Sequence, residues 1–200
     1  MSQMEMNPIL YSIPESFESS RLLIRAPLWN DGAQLNEAVR ESLDELRPWM
    51  PWANKIPDLE ESEIVIRKAR LKFLERSDLM LLIVSKDTDR LIGCSGLHRI
   101  DWQARKFEIG YWVRTAYAGQ GYITEAVNAI TGFAVAELQA NRIEIRCDSR
   151  NNRSAKVAER SNFKLDGILR NDRCDVDGNL RDTMVFSKIR GVEYEMRNSP

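Results

Sequence analysis

Apolar positions change period several times along this chain, and each change marks an element. Ser20 to Ala26 (SRLLIRA) is short and aliphatic and predicts a first strand. From Asn30 onward Leu35, Val39, Leu43 and Leu46 recur at helical spacing until Pro48 and Pro51 interrupt them. Residues 58–76 predict a second helix, with Ile64, Ala69, Leu71 and Phe73 as apolar positions among dense charge. Leu79 to Ser85 is a continuous apolar strand, KDTDR (86–90) a turn, and Leu91 to Ile100 another strand. Only DWQA (101–104) separates it from the next strand, 105–114, which is too short for a crossover, so these two run antiparallel. In that strand Phe107, Ile109, Tyr111 and Val113 share one face, and Lys106, Glu108, Gly110 and Trp112 the other.

The loop 115–121 leads into a helix whose stripe is Ile123, Val127, Ile130, Ala134 and Leu138, with Asn141 as a left-handed stop. Residues 142–148 alternate cleanly with Ile143, Ile145 and Cys147 inward, and strand–helix–strand here implies a parallel pair. Asn151 caps a short helix that closes near Asn162, and 163–175 and 180–189 form a hairpin about Asp177-Gly178. The sum is an α/β (α+β) fold with a mixed sheet, antiparallel at both ends around one parallel βαβ unit. Residues 1–19 are expected as a loose N-terminal arm, 20–190 as a single domain and 191–200 as a C-terminal tail.

Composition narrows the function. The 200 residues are 43% hydrophobic and 30% charged, enough for one domain burying roughly 70% of its unfolded surface. A formal net charge of −1 provides no broad basic field for nucleic acid or anionic lipid. Mean hydropathy is −0.42, and no apolar run approaches the ~20 residues of a membrane span. Met1 to Ile13 lacks the layout of a signal peptide, so export is not expected. Cys94, Cys147 and Cys174 are far apart and His98 is the only histidine, so neither zinc nor a disulfide framework is expected. The three thiols read as reduced, in a cytoplasmic protein. A Ser-His-Asp hydrolase would have to use His98, which sits in a strand-like run.

The segment 113–126 (VRTAYAGQGYITEA) carries the chemistry. Two glycines flank one residue where a strand hands over to a helix, and glycine allows close backbone approach and φ > 0. The first turn of a helix presents unpaired N–H groups and a positive dipole end, which together bind phosphate, and Thr124 could add a donor. A Walker loop is excluded because no Lys follows these glycines. A dinucleotide fingerprint lacks its third Gly, where Thr124 stands, and the preceding antiparallel hairpin argues against that fold, although Asp148 could imitate the ribose-binding acid. A turn without any ligand is the plain alternative.

The loop AYAGQG (116–121) followed by YITEA resembles the acyl-CoA loop of the GNAT N-acetyltransferase superfamily. RLLIRAP near the start, FEIGYWV before the loop, NNRSAKVAERSNF after it and Asp177-Gly178 resemble the branch that acetylates ribosomal-protein N-termini. The resemblance runs over roughly residues 20–190. Ala116 stands where the motif prefers Gln or Arg, Asn162 replaces the usual Gly, and Ala158 stands where many members carry a Tyr that protonates the thiolate. The resemblance implies a mostly antiparallel, seven-stranded sheet with a splayed central parallel pair and about four helices.

It further implies acetyl-CoA as cosubstrate, with no metal. Pantetheine would lie in the gap against backbone groups of Trp112 and Val113. The N–H groups of Ala118, Gly119, Gln120 and Gly121, with Tyr122, Ile123 and Thr124, would hold the diphosphate. Asn151 would contact pantetheine, and Arg114, Arg153 and Lys156 could meet the 3′-phosphate. An α-amine with pKa about 7.8 is roughly a seventh neutral at pH 7, whereas a lysine is neutral about once in 2,500, a gap of ~3.5 kcal/mol. An enzyme for N-termini can therefore work with a weak base or a water relay.

Glu108 is the candidate base and Ser154, in the first turn of the helix after Asn151, the candidate acid. The Val113 N–H would stabilise the oxyanion. Trp49 and Trp52 would wall an acceptor slot, and His98 and Asp182 could touch the acceptor. The expected function is acetyl transfer to a primary amine, such as a ribosomal-protein N-terminus, by a monomer or homodimer. A catalytically inactive acyl-CoA-binding module and a nucleotide-dependent oxidoreductase are the alternatives.

Overall fold

The structure, a computed structural model, describes residues 7–195. One eight-stranded sheet runs through the molecule in the order β1-β2-β3-β4-β5-β6-β8-β7. Its strands are β1 (Ser16–Glu18), β2 (Leu22–Arg25), β3 (Leu79–Ser85), β4 (Leu91–Asp101), β5 (Lys106–Val113), β6 (Arg142–Asp148), β7 (Lys164–Cys174) and β8 (Leu180–Ile189). Among these described strands only β5 and β6 pair in parallel. Four α-helices pack on it: α1 (Gly32–Leu46), α2 (Leu59–Glu75), α3 (Tyr122–Ala136) and α4 (Asn152–Arg160).

Two cores follow from the alternation of strand side chains. Leu82, Val84, Leu91 and Cys94 pack under α1 and α2, with Trp112 against their edge. Leu81, Ile83, Leu97, Phe107, Ile109, Ile143 and Ile145 face α3 and α4. The α3 stripe read from the sequence is buried throughout, at Ile123, Val127, Ile130, Ala134 and Leu138. Each large aliphatic side chain there contributes about 1.5–3 kcal/mol.

Several expectations are corrected. The sheet has eight strands rather than seven, because β1 pairs with β2. The loose arm over 1–19 does not hold from Tyr11 onward: the Tyr11 ring packs at a tilt on Trp102, centroids 5.2 Å apart, and Ile13 is buried. Residues 1–6 of that arm and 196–200 of the expected tail lie outside the described residues, while Tyr194 is tied down by its hydroxyl donating to the Ala140 carbonyl at 2.8 Å. The apolar face of α2 is Ile66, Ala69 and Phe73, with Ile64 and Leu71 exposed. α3 stops before Asn141, and the left-handed residue is Gln139 at φ 52°.

Candidate active site

The site begins where β5 and β6 part. They pair from Lys106–Arg142 to Ile109–Ile145, while β5 continues to Val113 and β6 to Asp148. Beyond Ile109, β5 stays bonded to β4, and the Arg114 N–H donates to the Ile92 carbonyl at 2.8 Å. Backbone groups alternate sides along a strand, so Trp112 and Arg114 turn their amides toward β4, and Tyr111 and Val113 turn theirs into the gap. The wedge expected from the sequence is open. Val113 faces it, whereas Trp112 does so only with neighbouring atoms, its own peptide groups being used by β4.

The loop after β5 divides sharply into occupied and unoccupied amides. Thr115 N–H donates to Ser42 Oγ at 2.9 Å, Ala116 N–H to Glu41 Oε1 at 3.0 Å, Tyr117 N–H to the Arg114 carbonyl at 2.9 Å and Ala118 N–H to the Thr115 carbonyl at 3.1 Å. The expected Ala118 contact is thereby corrected, since its donor is spent in the 3-10 turn. From Gly119 through Gln120, Gly121, Tyr122 and Ile123 to Thr124, no N–H donates to another described residue. Gly119 and Gly121 have φ of 76° and 81°, which only glycine adopts without strain. A Cβ at Gly119 would meet nothing within 4 Å, and one at Gly121 only Arg21 Nη2 at 3.7 Å. The open space there is what a diphosphate needs, at the positive end of a 15-residue helix. A groove of about 710 Å³ opens from this loop, lined by Ser19, Gly119, Gly121, Thr124, Asn128 and Arg160 among others.

The cations near the loop are distributed differently from expectation. The Arg114 side chain, 7% exposed, donates to Glu41 at 2.6 Å and to Glu37 at 2.7 Å, bolting β5 to α1. Burial works against its charge, but the bonds to Glu37 and Glu41 prevail and hold its pKa above the usual arginine value. Its guanidinium is thus committed to α1 rather than free over the loop, where the expectation had it. Arg153 is surface-exposed and pairs with Glu45 at 3.4 Å. Lys156 is exposed on α4, one turn before the groove-lining Arg160, and i,i+4 spacing puts the two on one face of that helix.

Arg21 was not foreseen. Its guanidinium lies 4.1 Å from the Tyr122 ring centroid and donates to the Gln120 carbonyl and to Glu125. Burial would raise the Glu125 pKa, but bonds from Arg21 N–H, the Ser19 hydroxyl and the Arg21 guanidinium leave it below the ordinary carboxylate value.

Two clusters flank the wedge on opposite faces of the sheet. On the α3–α4 face, the Asn151 side chain caps α4 by accepting from Ser154 N–H at 3.0 Å, which leaves its amide nitrogen available. Ser154 Oγ is 3.0 Å from the Tyr111 hydroxyl, and the Cys147 thiol lies beside it. Burial raises the pKa of both Tyr111 and Cys147, so both stay protonated.

On the α1–α2 face stand Glu108, Trp112 and His98. Trp52 covers Trp112 with ring centroids 6.0 Å apart, and Trp49 is exposed nearby in the same α1–α2 connection. Glu108 is paired with Arg99 at 3.3 Å, and His98 Nδ1 is 2.8 Å from Asp78 Oδ2. Asp182 instead accepts from Asn171 N–H at 2.9 Å and braces the β7–β8 hairpin. The residues missed by sequence reasoning are Arg21, Arg160, Tyr111 as a hydroxyl, and Asp78. Of these, Arg160 had a signal, its spacing from Lys156. Among the described residues no group of side chains is arranged to hold a metal, and no helix is long and apolar enough to cross a membrane.

Residues 21–164 match the acetyltransferase (GNAT) domain family. The chain is 30% identical over 133 residues to the uncharacterized N-acetyltransferase p20 of Bacillus licheniformis, covering 66% of this chain and 74% of that one. It is 29% identical over 150 residues to the ribosomal-protein-serine acetyltransferase of Escherichia coli (strain K12), covering 71% and 83%. Among solved structures, the microcin C7 self-immunity acetyltransferase MccE in complex with acetyl-CoA and AMP superposes with a TM-score of 0.81 at 22% identity, covering 88% of this chain and 97% of that one. RimL, a ribosomal α-N-protein acetyltransferase in complex with coenzyme A, gives 0.79 at 22% identity with the same coverage, 88% and 97%. These two structural likenesses are of fold.

Proposed function

This chain belongs to the GNAT acetyltransferase family and is an N-acetyltransferase whose donor is acetyl-CoA; from that premise we propose that its acceptor is a protein N-terminal α-amine, such as that of a ribosomal protein. The observation that carries the reading is the open β5–β6 wedge leading to the uncommitted amides of Gly119 to Thr124. The acceptor class draws support from the 29% identity to the E. coli ribosomal-protein-serine acetyltransferase. It also fits the chemistry, because an α-amine asks least of a base. A cytoplasmic location goes with such an acceptor.

The thioester supplies an activated acyl carbon, and the chain's own groups do the rest. The Gly119–Thr124 amides hold the diphosphate, with Lys156 and Arg160 toward the 3′-phosphate. Asn151 directs its amide at pantetheine. The Val113 N–H points at the charge that develops on the acyl oxygen. Ser154 gives a proton to the departing sulfur on one face of the sheet, and Glu108 holds the water that leads the amine's proton away on the other. Trp49 and Trp52 wall the amine's path. Acid and base on opposite faces suit a displacement in which the amine enters from one side and the thiol leaves by the other.

The test is thiol release from acetyl-CoA with peptides carrying a free N-terminal serine or alanine, against the same peptides N-capped but lysine-containing. Free N-termini should accelerate release and capped ones should not. Glu108→Gln and Ser154→Ala should each lower kcat by ten-fold or more with CoA affinity retained. Stabilisation by CoA without acceleration by any amine would instead make the chain a binding module.

A further inference from the structure

The geometry points to His98, oriented by Asp78, as the group on which the acceptor's proton comes to rest. The inference builds on the acetyl-transfer reading above and adds a residue pair to its acceptor side. His98 is the only histidine of the chain. Its Nδ1 is 2.8 Å from Asp78 Oδ2, so the carboxylate accepts the Nδ1 proton and leaves the lone pair on Nε2. Among the described residues Nε2 has no hydrogen-bond partner of its own.

The seat of the ring is built by two omitted side chains. Gly96 on β4 and Gly110 on β5 are register partners. A Cβ on Gly96 would stand 2.9 Å from His98 Cε1, and one on Gly110 would stand 3.0 Å from Cδ2 and 3.3 Å from Nε2. The imidazole therefore lies across both strands where neither carries a side chain. It leans from its own register partner, Glu108, toward the Trp112 end of β5, where the wedge opens.

The charged groups around it are Asp78 ahead of β3, Glu108 across the ladder and Arg99 beside it. Arg99, at φ 46° in a β-bulge, pairs with Glu108 at 3.3 Å. Arg99 thus occupies the Glu108 carboxylate, whereas the imidazole has one nitrogen unpaired and Asp78 behind the other.

The amine nitrogen bonds to the acyl carbon and the carbon–sulfur bond breaks with its electron pair on sulfur. The proton on the amine nitrogen passes to His98 Nε2, directly or relayed by a solvent molecule. The sulfur takes a proton from solvent, or from Ser154, whose hydroxyl then regains one from solvent, and His98 returns its own to solvent.

The experiment uses the untagged full chain and a hexapeptide with a free N-terminal serine. His98→Gln should lose roughly a hundred-fold in kcat with KM for acetyl-CoA unchanged, in the range of a lost general base. His98→Ala should recover at least ten-fold when imidazole is added, a response that a packing role cannot produce. In the ligand-free enzyme, nitrogen-15 NMR of the single imidazole should show the Nδ1–H tautomer, and Asp78→Asn should mix the two tautomers. A His98→Gln enzyme within three-fold of wild type overturns the inference, as does loss of activity without imidazole rescue, or an Nε2–H tautomer in wild type. If His98→Ala does not fold, His98→Gln kinetics and the Asp78→Asn spectrum decide. A wild-type enzyme that acetylates no amine removes the functional reading and this inference together. A wild type that turns over while His98→Gln matches it removes this inference alone.

Discussion

Gly121→Ala isolates the diphosphate cradle from the fold, because the structure provides its own matched control. Gly121 sits at φ 81° at the head of α3, and Gly178 at φ 84° in the β7–β8 turn. A Cβ meets nothing within 4 Å at Gly178 and only Arg21 Nη2, at an ordinary 3.7 Å, at Gly121. Alanine at either place thus creates the same left-handed strain, about 1–2 kcal/mol. For a chain of 200 residues that lowers Tm by roughly 2–8 °C in both variants.

The two must differ in binding. The Gly121 methyl enters space bordered by the Gly119–Thr124 amides, where a phosphate oxygen has to come within hydrogen-bond reach. Forfeiting one charge-assisted hydrogen bond costs about 1.5–3 kcal/mol, or roughly ten- to a hundred-fold in Kd. Titration calorimetry with CoA should show that loss for Gly121→Ala and an unchanged Kd for Gly178→Ala, with similar Tm shifts. Equal Kd values in both variants would falsify the cradle.

Other expectations follow from the same geometry. Arg114→Met should remove about 2 kcal/mol, because it strips a buried guanidinium from two partly hydrated carboxylates, and lower Tm by roughly 4–8 °C. CoA affinity should hold in that variant, and a large loss would return Arg114 to the list of phosphate contacts. Trp52→Ala should raise the peptide KM several-fold and leave CoA affinity alone, as measured by steady-state kinetics and calorimetry. Glu125 has a folded pKa below its unfolded value, so its contribution is present above the ordinary carboxylate range and lost as pH falls through the folded pKa. Glu125→Gln should therefore be less stable than wild type at pH 7, with the gap closing below about pH 4 in urea titrations.

How far the chain could be read depended on whether the determining contacts were local. The α3 stripe, the alternation of β6 and the Asn151 cap are matters of period and short-range hydrogen bonding, and all were legible. The wedge was legible only through the family resemblance, since nothing in residues 110–113 says that their outer edge stays unpaired. Arg114 shows the opposite limit. Beside a phosphate loop it reads as a phosphate ligand, but Glu37 and Glu41, more than 70 residues earlier in the chain, claim it first. β1 escaped notice because three residues, SFE, carry no period at all. Ile64 and Leu71 misled because apolar residues on a charged helix do not by themselves define which side meets the sheet. The role of Gly96 and Gly110 could not be read, because a missing side chain has meaning only once its neighbour across the ladder is known.

The parting of β5 from β6 leaves a protein one strand short of a finished sheet. Its peptide edge at Tyr111 and Val113 is left without a strand partner on the β6 side, and under the proposed function the pantetheine arm, with its two amides, would be the missing member. Cosubstrate is then also scaffold: at a hundred times Kd it adds about 2.7 kcal/mol to the folded state. When less CoA is at hand, this chain should open more often and be cut sooner by a protease.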